Sequence, residues 1–149
     1  MPFYSVMNNT TILCAIDFSE SSLQALKWTL KMARLTRATV TVLFCYRLIA
    51  IGDDEETLDL KKNMENEALK KFNEIEKKLM KGQAVSYQFV TEVGFFPFRI
   101  EMFIRKSPVG LLVMGNSIIQ NFDEYKNLSF EQFLKNSNVP VVIVPESEV

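Results

Sequence analysis

Short apolar runs alternate with helix-spaced segments along the whole chain, and this alternation restricts the possible folds more than any other property of the sequence. "TILCAID" (11–17) and "ATVTVLFCY" (38–46) are brief and rich in residues that suit a sheet covered on both faces. Between them Leu23, Leu26, Leu30 and Ala33 recur at the spacing of one helix face, which makes the first third of the chain a βαβ unit. A charged loop with "GDDEE" then leads to a second helix, expected from about Leu58 to Met80. Its apolar stripe is Leu60, Met64, Ala68, Phe72, Ile75 and Leu79, and Gly82 stops it. "AVSYQFVTEV" (84–93) reads as a third strand. Pro97 fits the first turn of a short third helix whose Phe96, Ile100, Phe103 and Ile104 should pack on the sheet. "GLLVMG" (110–115) is a fourth strand, and a loop is expected after it. A fourth helix starts at Ser129, where "SFEQ" matches a capping box through Gln132, and "VPVVIVP" (139–145) is the fifth strand.

Five strands alternating with four helices predict an α/β fold, a five-stranded parallel sheet with helices on both faces, because right-handed crossovers allow little else. The flavodoxin-like order and the related 3-2-1-4-5 order both fit. In either, ligands bind beyond the carboxyl ends of the strands, where the winding direction reverses. Asp17 and Gly115 should face each other there if strands 1 and 4 flank that point. No repeat, low-complexity tract or linker divides residues 1–149, so one domain is expected.

Several chemistries are absent from the residue inventory. The chain has no His, which removes Ser-His-Asp triads, Cys-His pairs and His-bearing zinc sites. Cys14 and Cys45 lie inside apolar strand runs without CxxC spacing and read as small hydrophobes in a reducing compartment. A net charge of −1 and a pI near 5.6 give no broad attraction for nucleic acid or anionic membrane. The N-terminal "MPFYSVMNNT" lacks the regions of a signal peptide, and no apolar run approaches the length of a membrane span. A cytoplasmic location is therefore expected.

Phosphate-binding motifs are also missing: there is no G-x-G-x-x-G after strand 1, no G-x-x-x-x-G-K-[ST], and no acidic cluster of the receiver type. Asp17 has two readings, a helix cap or dipole partner working with Ser19, or a ligand contact. Ser129 caps the fourth helix or binds phosphate. "DDEE" (53–56) is a solvated loop or an oxygen-coordinated cation site, and Phe98 and Met102 are scattered exposure or a patch for a protein partner.

"ILCAIDFSESSLQALKWTLKMA", "ATVTVLFCY", "VGFFPFRI", "GLLVMGN" and "VPVVIVP" together resemble the universal stress protein family over nearly the whole chain. The resemblance implies the 3-2-1-4-5 sheet of an adenine nucleotide alpha-hydrolase-like, flavodoxin-related three-layer sandwich. It also implies a role in stress physiology and, as in many members, dimers formed through the last strand. Members that bind ATP look like G-x-x-G, nine residues, then G-[ST]. With Gly115 as the first glycine, Ile118 stands at the second, Leu128 at the third and Ser129 at the hydroxyl. The spacing is kept and two glycines are not. A β-branched Ile118 is poorly suited to the positive φ that lets backbone N–H groups approach phosphate oxygens. Residues 116–128 also carry Asp123 and Glu124 against one Lys126, an unfavourable charge for a polyphosphate. Ile118, Ile119, Phe122 and Tyr125 could instead fold over the crevice. The family's strand-2 backbone contact to the base would fall near Cys45, and Gly110 stands where the family usually has Asp.

The sequence therefore predicts a non-enzymatic universal-stress-type protein, a dimeric regulatory or binding module in the cytoplasm with little or no ATP affinity, no catalytic residues, no metal and no cofactor. The alternative is a member that holds ATP or AMP, with Mg, through Asp17, Cys45, Gly115 and Ser129, with at most slow hydrolysis. The dimer contact is expected at Val141, Val142, Ile143 and Val144, an apolar edge bracketed by Pro140 and Pro145. The competing arrangement covers that edge with the N-terminal segment, through Phe3, Tyr4 and Val6.

Overall fold

The computed structural model describes residues 10–48, 55–123 and 129–146. Its elements in chain order are β1 (Thr11–Ala15), α1 (Glu20–Thr36), β2 (Thr39–Tyr46), α2 (Glu55–Ile75), β3 (Tyr87–Val93), α3 (Phe96–Lys106), β4 (Val109–Gly115), α4 (Asn116–Asp123), α5 (Phe130–Asn136) and β5 (Val141–Val144). A π-helical turn, Glu76–Met80, prolongs α2. The strands form one parallel sheet in the order β3-β2-β1-β4-β5, as expected. The order reverses between β1 and β4, so their carboxyl ends bound the crevice where such sheets bind ligands.

Two apolar cores sandwich the sheet. On one face Leu26, Leu30 and Ala33 of α1 and Phe72 and Ile75 of α2 cover Ile12, Cys14, Val40 and Val42. On the other, Phe96 and Ile100 of α3, Ile118 and Phe122 of α4 and Phe130 of α5 cover Leu13, Ala15, Leu43 and Leu112. Alternation along each strand sends successive side chains to opposite faces. Each fully buried Leu, Ile or Phe contributes about 1.5–3 kcal/mol through lost water contact. The expected α3 face holds: Phe96 and Ile100 are buried, Phe103 and Ile104 pack against them, and Phe98 and Met102 are exposed. Gly82 ends the α2 unit with φ +83°, a conformation that suits a residue without Cβ.

Three expectations need correction. There are five helices among the described residues, because the segment after β4 is helix α4 rather than loop. Leu60 does not belong to the buried stripe of α2 and is 39% exposed. At about 100° per residue it lies roughly 80° around the helix from the centre of the face made by Thr57, Ala68, Phe72 and Ile75. "GDDEE" is not wholly loop either: Glu55 and Glu56 open α2, where carboxylates suit the positive end of the helix dipole. Asp53 and Asp54 lie outside the described residues, as do Glu124, Tyr125, Lys126, Leu128, Phe3, Tyr4 and Val6.

Candidate functional site

At the carboxyl end of β1 the chain turns sharply. Phe18 adopts a left-handed backbone, φ 65°, and the turn brings the Asp17 carboxylate back onto its own chain. Asp17 Oδ1 accepts from Ser19 N at 3.1 Å and from Ser19 Oγ at 2.5 Å. Ser19 is the N-cap of α1, its Oγ accepting from Ser22 N at 3.2 Å, while Ser22 Oγ accepts from Asp17 N at 3.2 Å. Asp17 thus lies in an Asx turn at the start of α1, supplying a negative charge where the exposed N–H groups and helix dipole favour one. The Phe18 ring packs on Phe44 at 4.9 Å, with the Lys71 ammonium 5.5 Å from its centroid.

Across the crevice, β4 runs into α4 without a connecting loop. Gly115 closes β4, and its lack of a side chain admits α1: a Cβ there would lie 2.3 Å from Ser21 Oγ and 2.6 Å from Ser21 O. Ser21 Oγ in turn accepts from Ser117 N at 3.2 Å, and the Ser117 and Ser19 hydroxyls are 2.9 Å apart. Asp17, Ser19, Ser21 and Ser117 therefore form a continuous hydrogen-bonded clamp from the end of β1 to the start of α4. Ile118, where the ATP-binding pattern has its second glycine, is 0% exposed and sits in a helix among Met114, Phe96 and Ile100. Phe122, also fully buried, packs on Phe130 at 5.4 Å and Phe133 at 4.9 Å, fastening α4 to α5.

Ser129 lies at the start of α5, where its Oγ accepts from Gln132 N at 3.2 Å. Asp123 Oδ1 lies 3.4 Å from Phe130 N at the same helix end. Cys45 is buried in β2. Burial pushes its thiol up to about 12, the Glu92 carboxylate adds to the rise and Arg99 opposes it. The Cys14 thiol is likewise raised to about 12 by burial, against a smaller opposing hydrogen bond from Thr29. Both cysteines are free. The Leu43 carbonyl accepts from Ile16 N at 2.9 Å and the Tyr46 carbonyl from Gly94 N at 2.8 Å, on opposite sides of β2. By strand alternation the Cys45 N–H and C=O point to the β1 side, level with the crevice.

The structure thus ties Asp17 to the neighbourhood of Gly115 through the serines and places Ser129 on a separate helix start. Sequence reasoning identified Asp17, Ser19 and Gly115 but not Ser21 or Ser117, whose only signal was the density of serine in "SESS" and after "GN". Among the described residues no three His, Cys, Asp or Glu side chains are grouped to hold a metal ion. No described helix is long and apolar enough to cross a membrane.

The model of the universal stress protein family matches residues 8–145. The fold is similar to that of the hypothetical protein MJ0577, 26% identical, covering 95% of this chain and 99% of that one with a TM-score of 0.69. It is also similar to the universal stress protein UspA from Lactobacillus plantarum, 15% identical, covering 92% and 98% with a TM-score of 0.70. A universal stress protein in complex with cAMP is 19% identical, covering 94% and 99% with a TM-score of 0.69. Comparison with the curated proteins finds no match. By its family-model match the chain belongs to the universal stress protein family.

Proposed function

We propose that this protein is a non-enzymatic, dimeric regulatory or binding module of the stress response with little or no affinity for ATP. The observation that carries the reading is the fully buried, helical Ile118 beside the Ser19–Ser117 clamp. A phosphate cradle needs backbone N–H groups free of Cβ obstruction and turned toward the ligand. Here Ser117 N is directed at Ser21 Oγ, and the side chain of Ile118 is committed to the core. Asp17 and Asp123 put carboxylates at the starts of α1 and α5, which repels an incoming polyanion. The exposed edge of β5, with Ile143 43% exposed, supports pairing with a second copy.

A second reading, AMP or ATP held through Asp17, the Cys45 backbone, Gly115 and Ser129, draws on the direction of the Cys45 amide. It also draws on members of the family solved with cAMP, dAMP and AMP. Ile118→Gly, Leu128→Gly, Asp123→Asn and Glu124→Gln combined in one variant separate the two. Under the first reading a folded variant gains measurable, modest nucleotide affinity over wild type. No gain would show that these positions do not limit binding. Phosphate release from Mg-ATP above the uncatalysed rate in wild type would reject the non-enzymatic reading.

A further inference from the structure

The net charge of −1 conceals a segregation. From Ser21 to Gly52 there are five cations and no acidic residue. Four of the five, Lys27, Lys31, Arg34 and Arg37, are exposed on α1 or at its C-cap. Two large apolar side chains lie exposed beside them, Trp28 at 46% and Leu35 at 74%. The Lys31 ammonium is 5.0 Å from the centroid of Trp28, which holds the indole against the helix. At about 100° per residue Lys27, Trp28, Lys31, Arg34 and Leu35 fall within a single arc of roughly 120°, opposite the face that packs on the sheet.

The spacing within that arc identifies the kind of partner. Trp28 and Leu35 are one heptad apart, and each is preceded by a cation, Lys27 and Arg34, also one heptad apart. Apolar positions seven residues apart with charges on their flank form one half of a helix–helix seam, in which flanking cations meet carboxylates of the other helix. Trp and Arg are also the residues that most often anchor protein interfaces. A broad anionic surface fits less well. On the same face of the sheet, α2 exposes Glu55, Glu56, Asp59, Glu67 and Glu74 interleaved with Lys61, Lys62, Lys70 and Lys71, so this mixed surface does not extend the cationic stripe of α1 for a membrane or long polyanion. From Lys27 to Arg37 the stripe is about 15 Å long, the length of about ten helical residues of a partner.

We propose that the outer face of α1 docks a short acidic, leucine-bearing helix of a partner protein, with Trp28 as the apolar anchor and Lys27 and Arg34 as the flanking charges. This surface is separate from the β5 edge and from the crevice. Trp28 is the only tryptophan of the chain and reports directly on the contact. The probe is a synthetic three-heptad peptide with Leu at the seam and Glu on its flanks, without tryptophan. It is titrated into the full-length protein while Trp28 fluorescence is followed. The expected result is a saturable blue shift, with affinity reduced about tenfold or more between 0.05 and 0.5 M NaCl as charge contacts are screened. Lys27→Glu combined with Arg34→Glu, folded by circular dichroism, should abolish it, and Trp28→Phe should weaken binding measured by calorimetry. The proposal is overturned by no shift, by an equal response to a peptide with Lys in place of Glu, or by undiminished binding in the charge-reversed variant. Tighter binding to phosphatidylserine vesicles or to single-stranded RNA than to the peptide overturns it as well.

Discussion

Gly115→Ala tests whether this glycine serves packing or a ligand. The substituted Cβ would lie 2.3 Å from Ser21 Oγ, 2.6 Å from Ser21 O and 2.9 Å from Ser21 C. Two of these three atoms are backbone in the first turn of α1, so a rotamer change of Ser21 removes only the closest. Gly115 is not among the positive-φ glycines, and the penalty is therefore steric alone. Restoring ordinary contact at about 3.4 Å would need the start of α1 to retreat by most of an ångström, opening the Ser19–Ser117 and Ser21–Ser117 hydrogen bonds. Overpacking of this kind costs about 1–3 kcal/mol. For a chain of this length that is a fall in Tm of roughly 2–12 °C. Ser21→Ala alone should cost about 1 kcal/mol through its lost hydrogen bond, and in the Gly115→Ala background it should cost less because it removes the closest clash. The double-mutant cycle, read by urea unfolding without nucleotide, should give a coupling of about 0.5 kcal/mol or more. A Gly115→Ala protein that melts within a degree of wild type would refute the packing role.

Three further outcomes follow from the geometry. Ile118→Ala should destabilise the protein by about 2–5 kcal/mol in chemical denaturation, as expected for an isoleucine buried in a core. With the proposed β5 dimer, wild type should sediment at about twice 17.2 kDa and Ile143→Lys as a folded single chain; a wild-type mass near 17.2 kDa would reject the dimer, and an unchanged dimer in the variant would move the interface elsewhere. Burial raises the Cys14 and Cys45 thiols from the ordinary 9.0 to about 12, so they stabilise fully below pH 9 and this contribution is lost as pH rises toward about 12. The stability of wild type should fall with pH above 9 by about 1.4 kcal/mol per pH unit for each thiol, and Cys45→Ala should show a shallower fall.

The strands and their helices could be read in advance because their signals are local. Apolar runs, the 3.6-residue spacing of Leu26, Leu30 and Ala33, the stop at Gly82 and the cap at Ser129 each occupy a few neighbouring residues. The segment 116–123 was misread for an identifiable reason. Ile118, Ile119 and Phe122 do have helical spacing, but β4 passes into α4 with no loop between them, and a Gly after a strand usually signals a turn. The clamp could not have been read at all. Ser21 and Ser117 are 96 positions apart, and only the packing of α1 against the end of β4 brings them together. Leu60 shows the complementary failure: a helical stripe gives the direction of a face, not where its edge meets solvent.

The measurement that bears most directly on the proposed weak nucleotide affinity is isothermal titration of the wild-type protein with Mg-ATP and, separately, with AMP. Nucleotide has to displace the Ser19–Ser117 contact and finds carboxylates at the α1 and α5 starts. The expected result is therefore no saturable binding, or a Kd weaker than about 10 μM, for either ligand. A Kd tighter than that, a binding free energy beyond roughly −7 kcal/mol, would contradict the proposed function and establish the nucleotide-binding reading in its place.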